Sequence, residues 1–102
     1  MTTFADLGLV NTIPLLEKKG FKTPTPIQEK VIPILLQKSW HVIGQASTGT
    51  GKTAAFGLPI IEHLDSKASH IQALILAPTR ELAIQVAAEI DSLAGTHLRI
   101  TT

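Results

Sequence analysis

The order of segments along the chain predicts an α/β fold, namely the first part of a doubly wound parallel sheet. Two helix-forming patterns come first, and a β-α-β-α-β order follows them. The clearest strand is the unbroken apolar run at residues 73–77, as expected where helices cover both faces of a parallel sheet. A glycine-rich loop at residues 46–53 joins the first predicted strand to the helix predicted after it.

Length and composition indicate a small globular domain and exclude several classes of protein. The chain has 102 residues, of which 44% are apolar, and its net charge is +1. A charge this close to zero favours neither the presence nor the absence of a nucleic-acid partner. The sequence has no cysteine, which excludes disulfides and thiolate metal sites, and its four histidines show no ligand spacing. Because the sequence shows no secretory signal and no apolar run of membrane length, we expect a cytoplasmic protein without a membrane partner.

Capping and turn residues set the bounds of the first two predicted helices. One helix is expected over residues 11–19, with its N-cap at Asn11 or Thr12 and its end at Gly20. The next begins after Thr25, where Thr-Pro-Ile-Gln forms a capping-box pattern with proline at the first helical position. Spacing at i, i+4, i+7 and i+8 predicts the apolar face of this second helix: Ile27, Val31, Ile34 and Leu35.

The remaining elements alternate between strand and helix. Strands are predicted at residues 40–45, 73–77 and 98–102, and helices at 53–64 and 79–93. The buried stripes predicted for these two helices are Phe56, Ile60 and Leu64 in the first, and Leu82, Val86, Ile90 and Leu93 in the second. Two internal prolines are expected to kink their helices without ending them: Pro33 and Pro59.

The glycine-rich loop has the residue types that a phosphate-binding loop requires. Gly49 and Gly51 permit positive φ angles and a close approach of the backbone to a ligand, and the following helix adds the positive end of its dipole. Lys52 would reach the β- and γ-phosphates, and the Thr53 hydroxyl would complete the coordination of Mg²⁺. The usual first glycine is replaced by alanine, and the plain alternative is a glycine-rich turn with a surface lysine. The predicted loop comprises Ala46, Ser47, Thr48, Gly49, Thr50, Gly51, Lys52 and Thr53.

Three stretches resemble the N-terminal part of a DEAD-box RNA helicase, and together they cover essentially the whole chain. Residues 20–28 resemble the Q motif of that family, with Phe4 at the position of its isolated upstream aromatic. Residues 46–53 resemble helicase motif I, in which alanine takes the first position, and residues 78–83 resemble motif Ia. The resemblance implies part of a RecA-like P-loop NTPase domain with two regions: a Q-motif helical region, 1–37, and a P-loop and motif Ia region, 38–102.

The resemblance also implies that the ligand is ATP with Mg²⁺. Gln28 would read the adenine edge, because a carboxamide offers both a donor and an acceptor. Phe21 would stack on the adenine face, and Phe4 would support that pocket. Spacing alone favours the plain alternatives, in which Gln28 is the capping-box partner of Thr25 and either phenylalanine is a core residue; the family resemblance reverses this.

Motif Ia implies an RNA contact at Pro78, Thr79 and Arg80. A helix N-terminus attracts a phosphate, and an arginine can bind that phosphate with two hydrogen bonds. Contacts of this kind carry no sequence specificity. The alternatives are an ordinary N-cap for Thr79 and, for Arg80, a solvated position beside Glu81. The lone Trp40 is interpreted as a packing residue.

By this resemblance, we expect the parent protein to couple RNA-stimulated ATP hydrolysis to the unwinding of RNA duplexes, with Lys52 and Thr53 among its catalytic residues. The carboxylate box and the second domain of the family have no counterpart in the sequence, so we expect the chain alone to be inactive. RNA and the remainder of the helicase core are the expected partners. Three alternatives remain: a nucleotide-binding module without turnover, a DNA helicase, and a structural fragment that self-associates through an unpaired sheet edge.

Overall fold

Helices make up the regular structure of the described residues, which in this computed structural model are 2–37, 41–46, 51–65, 67–95 and 100–101. A 3₁₀ turn, Ala5–Leu7, comes first and is followed by four α-helices. These helices are α1, Ile13–Lys18; α2, Pro26–Leu36; α3, Lys52–His63; and α4, Arg80–Ala94. All four lie within one or two residues of the predicted helices.

The helix ends are explained by the capping residues that the sequence supplies. Thr79 precedes α4, and its hydroxyl oxygen accepts a hydrogen bond from the Leu82 N–H at 3.1 Å. Gly95 ends α4 with a φ of 69°, in the left-handed region that favours glycine. Helices α2 and α3 continue past their internal prolines, as predicted; these are Pro33 and Pro59.

Of the four residues predicted for the buried face of α2, Val31 is buried, and Ile27 and Leu35 are half-buried. Gln28, Val31 and Ile32 are buried, whereas Ile34, which was predicted to be buried, is 40% exposed. Gln28 turns inward to contact Gly51, and Ile32 lies on the same side of the helix one turn later. The prediction for Ile34 was wrong because an apolar spacing rule does not place a polar glutamine on the buried stripe.

The buried face of α3 also differs from the predicted stripe of Phe56, Ile60 and Leu64, all of which are half-buried. Small residues at the start of α3 allow its neighbours to come close. A Cβ placed on Gly57 would lie 3.4 Å from the Ile90 side chain of α4, so the two helices are already in contact there. The buried residues of α3 are Ala54, Ala55, Gly57, Leu58, Pro59 and Ile61.

One apolar core joins the N-terminal segment to α2, α3 and α4. Helix α3 lies in the middle, packed against α2 on one side and α4 on another, while α1 contacts α4. Of the predicted α4 stripe, Ile90 and Leu93 are buried, Val86 packs partly against the core, and Leu82 is 38% exposed. The fully enclosed side chains of the core include Leu9, Leu16, Ile32, Leu58 and Thr12.

The predicted sheet stays a prediction, because no strand pairing is present within the described residues. Residues 41–46 and 71–77 are neither helical nor paired. Their apolar side chains face solvent: Ile43 is 99% exposed, Leu74 80% and Leu76 86%. Trp40 and residues 98, 99 and 102 of the predicted strands lie outside the described residues.

The face of α3 that was predicted to be buried borders a cavity of about 580 Å³. Leu35 from α2 and the unpaired residues 71–73 complete its walls. The apolar surface of this face is therefore directed towards residues 71–73, the last of which begins the strand predicted at 73–77.

A carboxylate of α3 binds the segment that precedes α1 through hydrogen bonds. Glu62 accepts hydrogen bonds from the backbone N–H groups of Val10, Asn11 and Thr12, at 2.8 to 3.1 Å, and from the Thr12 hydroxyl at 3.0 Å. Partial burial acts to raise the pKa of this carboxyl, but the four hydrogen bonds outweigh it and hold the pKa below its usual value. Glu62 is therefore ionised at neutral pH.

No helix in the described part of the chain is both long and apolar enough to cross a membrane. The cytoplasmic location stays a prediction.

Candidate nucleotide-binding site

The end of the predicted phosphate-binding loop opens directly into α3. Gly51 is the N-cap of this helix, with a φ of 86° and a ψ of 27°, so the backbone is left-handed at a glycine. Lys52 and Thr53 are the first two helical residues; Lys52 is exposed and Thr53 is half-buried. The free N–H groups and the positive dipole end of a 12-residue helix therefore lie beside the lysine. This arrangement suits an anionic ligand.

Gln28 connects the start of α2 to this loop. Its side chain is 3% exposed. The amide oxygen accepts a hydrogen bond from the Thr25 N–H at 2.9 Å, and the amide nitrogen donates one to the Gly51 carbonyl at 3.2 Å. The predicted capping role of Gln28 is therefore confirmed. A primary amide retains a second N–H and a second acceptor direction beyond these two bonds, so the geometry is compatible with an additional contact to a base.

Two features of the packing around Gly51 lie beside the candidate site. A Cβ at this glycine would collide with the Gln28 amide nitrogen and would lie 3.2 Å from the Thr25 hydroxyl, so the backbone here lies directly against both side chains. The Thr25 hydroxyl oxygen faces the Gln28 N–H in the capping box but makes no bond of good hydrogen-bond geometry. Within the described residues it is a buried polar atom without a partner, beside the candidate site.

The two phenylalanines predicted for the base pocket lie together. Their ring centroids are 6.2 Å apart, and the ring planes are tilted by 42°, within the range of favourable aromatic pairs. Phe4 is 4% exposed and belongs to the apolar core, whereas Phe21 is 38% exposed. The structure thus places Phe21 where a ligand can reach it and Phe4 behind it.

A cavity of about 710 Å³ brings together five of the residues predicted for the nucleotide site, from residues 21–28 and from the start of α3. Phe21, Thr25 and Gln28 form one wall, and Gly51, Lys52 and Thr53 form another. This volume is within the range of small-molecule sites.

Helix α4 supplies a wall of this cavity that the sequence prediction missed. Its contributions include Gln85, Ala88, Glu89 and Ser92, and Lys19 also borders the cavity. The spacing of the four α4 residues at i, i+3, i+4 and i+7 marks one helix face. The sequence shows this face of α4, but it does not show that the face borders the cavity beside Lys52.

The other predicted residues do not line this cavity, and some of them lie outside the described residues. Ala46 is half-buried, and Ser47, Thr48, Gly49 and Thr50 lie outside the described residues. The residues predicted to contact RNA are all exposed at the N-terminal end of α4 and do not line the cavity: Pro78, Thr79 and Arg80. The N-cap role of Thr79 is confirmed by its bond to the Leu82 N–H.

Comparison with known proteins identifies the family. A family model described as DEAD/DEAH box helicase matches residues 25–102, which is well over half of the chain. The chain belongs to this family. It is 58% identical over 91 residues to the DEAD-box ATP-dependent RNA helicase CshA of Geobacillus kaustophilus, covering 88% of this chain and 19% of that protein. It is 53% identical over 102 residues to CshA of Listeria monocytogenes, covering 98% of this chain and 19% of that protein.

Solved structures of DEAD-box proteins share the fold. A DEAD box protein from Methanococcus jannaschii superposes with a TM-score of 0.84 at 48% identity, over 94% of this chain and 26% of that one. Prp28 from Chaetomium thermophilum, solved with ADP, gives a TM-score of 0.78 at 43% identity, over 92% and 24%. These neighbours support the RecA-like P-loop NTPase fold. The chain spans about a fifth of the length of its curated relatives, 19% in both CshA proteins.

Gly51→Ala is expected to destabilise the chain more than Gly20→Ala. Both glycines have a positive φ, 86° and 78°, so both substitutions carry the left-handed strain of about 1 kcal/mol. A Cβ at Gly20 meets nothing within 4 Å, whereas one at Gly51 displaces the Gln28 amide. Urea unfolding should show the additional loss for Gly51→Ala, and equal losses in the two variants would contradict the contact with Gln28.

Proposed function

We propose that this chain is the ATP-binding front part of an ATP-dependent RNA helicase, in which RNA-stimulated ATP hydrolysis drives unwinding of RNA duplexes. The observation that carries the proposal is the hydrogen bond from the Gln28 amide to the Gly51 carbonyl, immediately before Lys52. This contact joins the residue expected to read adenine to the loop expected to bind phosphates. The names of the CshA relatives, each an ATP-dependent RNA helicase, support the same activity.

The residues proposed for the site would hold ATP with Mg²⁺ in a definite order. Phe21 would stack on the adenine, with Phe4 behind it, and Gln28 would bond to its edge. Lys52 and the N–H groups at the start of α3 would hold the phosphates, together with Ala46, Ser47, Thr48, Gly49 and Thr50 of the loop. Thr53 would be the Mg²⁺ ligand of this chain. The metal, when bound, would neutralise phosphate charge during transfer of the γ-phosphoryl group to water.

RNA is proposed to bind at the start of α4 through its phosphates. Pro78, Thr79 and Arg80 are exposed there, and the first N–H groups of a 15-residue helix lie beside them. Arg80 can bind a phosphate with two hydrogen bonds. The Dbp5 structure from S. cerevisiae that is bound to RNA and ADP BeF3 shares 33% identity and a TM-score of 0.78 with this chain, which supports an RNA-binding role.

We further propose that residues 40–45, 73–77 and 98–102 are strands of the RecA-like sheet and that the remainder of the helicase core covers them. Support comes from the exposure of Leu74 and Leu76 and from the apolar face of α3 that borders residues 71–73. The division into regions 1–37 and 38–102 belongs to this proposal. The same exposed apolar surface favours a second possibility, a fragment that binds a complementary chain or a second copy of itself.

Lys52→Ala should weaken binding of Mg²⁺-ATP by about 10- to 100-fold, since it removes charge-assisted bonds to the phosphates. Isothermal titration with ATP, ADP and inorganic tripolyphosphate measures the loss, which should be largest for the two triphosphates. Lys18→Ala, at an exposed position of α1, is the matched control and should bind like the wild type. An unchanged affinity in Lys52→Ala would refute the phosphate site.

Gln28→Ala and Gln28→Glu should both abolish the preference for ATP over GTP, measured as the ratio of the two dissociation constants. A glutamate retains an oxygen for the Thr25 N–H but loses both amide N–H groups, the one bonded to the Gly51 carbonyl and the one available to a base, so this variant keeps only the cap. If Gln28→Glu keeps the wild-type ratio, Gln28 acts through helix capping and not through adenine.

Arg80→Ala, in the whole protein, should weaken binding of single-stranded RNA uniformly across sequences and reduce the salt slope by about 1. Fluorescence anisotropy at several salt concentrations measures both quantities. Lys67→Ala removes an exposed positive charge elsewhere and is the control. Equal effects of the two substitutions would indicate a general charge effect, and the proposed site at Arg80 would be rejected.

A further inference from the structure

The segment before α1 is held by an ionised group that none of the predicted functions uses. Both oxygens of Glu62 are engaged: Oε2 accepts the Asn11 N–H at 2.8 Å, while Oε1 accepts the N–H groups of Val10 and Thr12 at 3.1 Å each. The Thr12 hydroxyl adds a fourth bond at 3.0 Å. Three successive amides that converge on one carboxylate form a concave anion site, which here is filled from within the chain.

These bonds connect parts of the chain that are 50 to 52 residues apart. Thr12 is buried, with 0% exposed, and so are Leu9 and Leu16, with 2% each, whereas Val10 and Asn11 are exposed. Hydrogen bonds to an ionised acceptor are stronger than those between neutral groups, and they fix the direction of approach. The segment is therefore fixed in orientation by Glu62 as well as packed against the core.

The two phenylalanines of the candidate base pocket lie on either side of α1 and the residues bonded to Glu62. Phe4 precedes them, and Phe21 follows α1, where its N–H donates to the Leu16 carbonyl at 3.0 Å. The position of the Phe4–Phe21 pair thus depends on how residues 4–21, here called the N-terminal arm, sit on the protein.

Helix α3 connects the arm to the phosphate site. It carries Lys52 at its start and Glu62 near its end, about 15 Å apart at the rise of an α-helix. His63, the next residue, lies with its Nε2 3.1 Å from the Leu36 carbonyl at the end of α2. The last turn of α3 therefore holds both the arm that carries the phenylalanines and the helix that begins beside Gln28.

We propose that Glu62 is a positioning residue for adenine recognition: its carboxylate fixes the N-terminal arm on α3 and so places the Phe4–Phe21 pair relative to the phosphate loop. This proposal rests on the nucleotide site proposed above. It assigns to Glu62 an effect on the base part of the ligand and none on the phosphates, which α3 binds at its opposite end.

Glu62→Gln is the test, because it keeps the size of the side chain and removes its charge and one of its acceptors. ATP should bind about 5- to 20-fold more weakly, whereas inorganic tripolyphosphate should bind within about twofold of the wild type. Hydrogen exchange of the amides of Val10, Asn11 and Thr12 should become faster. Glu17→Gln, the same change at an exposed position of α1, is the control and should alter none of these quantities.

Thr12→Val is the second variant, which carries the test if Glu62→Gln does not fold. It removes the hydroxyl bond to Glu62 but leaves the carboxylate and the three backbone bonds. ATP affinity should fall about two- to fivefold, and the amides of the arm should exchange faster, but less so than in Glu62→Gln.

Three results would overturn the proposal: amide exchange in the arm that does not change, faster exchange with unchanged ATP affinity, or equal losses for ATP and tripolyphosphate. Failure of the wild-type chain to bind ATP at all is a different result. It would remove the proposed nucleotide site, and the adenine role of Glu62 with it, whereas an effect confined to the Glu62 variants tests the positioning role alone.

Discussion

The hydrogen bond between the Gln28 amide and the Gly51 carbonyl is the contact on which the candidate site depends. It is made by a buried polar side chain, so its loss would leave an amide N–H of Gln28 unpaired, although the Gly51 carbonyl would keep its bond from the Ala55 N–H. Because the same glutamine caps α2 through Thr25, the position of that helix and the position of the phosphate loop are set together. A residue with a Cβ at position 51 cannot share this space, which explains the glycine.

Helix α3 connects this contact to the N-terminal arm, α2 and α4. Its start carries the candidate phosphate site, its small residues admit α2 and α4, and its last turn binds the arm through Glu62 and α2 through His63. Side chains from residues 19–28, from the start of α3 and from α4 therefore meet at one cavity. A rigid helix is suited to this role because its ends move together.

The helices could be predicted from the sequence to within one or two residues, because their signals are local. Thr25 and Thr79 as caps and Gly20 and Gly95 as ends act within one turn of each helix. The buried faces could not be predicted as well. The inward position of Gln28 depends on Gly51, a residue 23 positions away that no periodicity rule includes. The Glu62 contacts and the α4 wall of the cavity were missed for the same reason: they depend on packing between distant segments.

The bonds of Glu62 also bear on the order in which the chain can fold during synthesis. All of their donors lie within the first 12 residues, and the acceptor is at position 62, before the exposed apolar stretch at 71–77. Domains generally begin to fold while the chain leaves the ribosome. The arm, α2 and α3 can thus join before Leu74 and Leu76 emerge. The face of α3 that borders residues 71–73 would then already be formed when this apolar stretch leaves the ribosome.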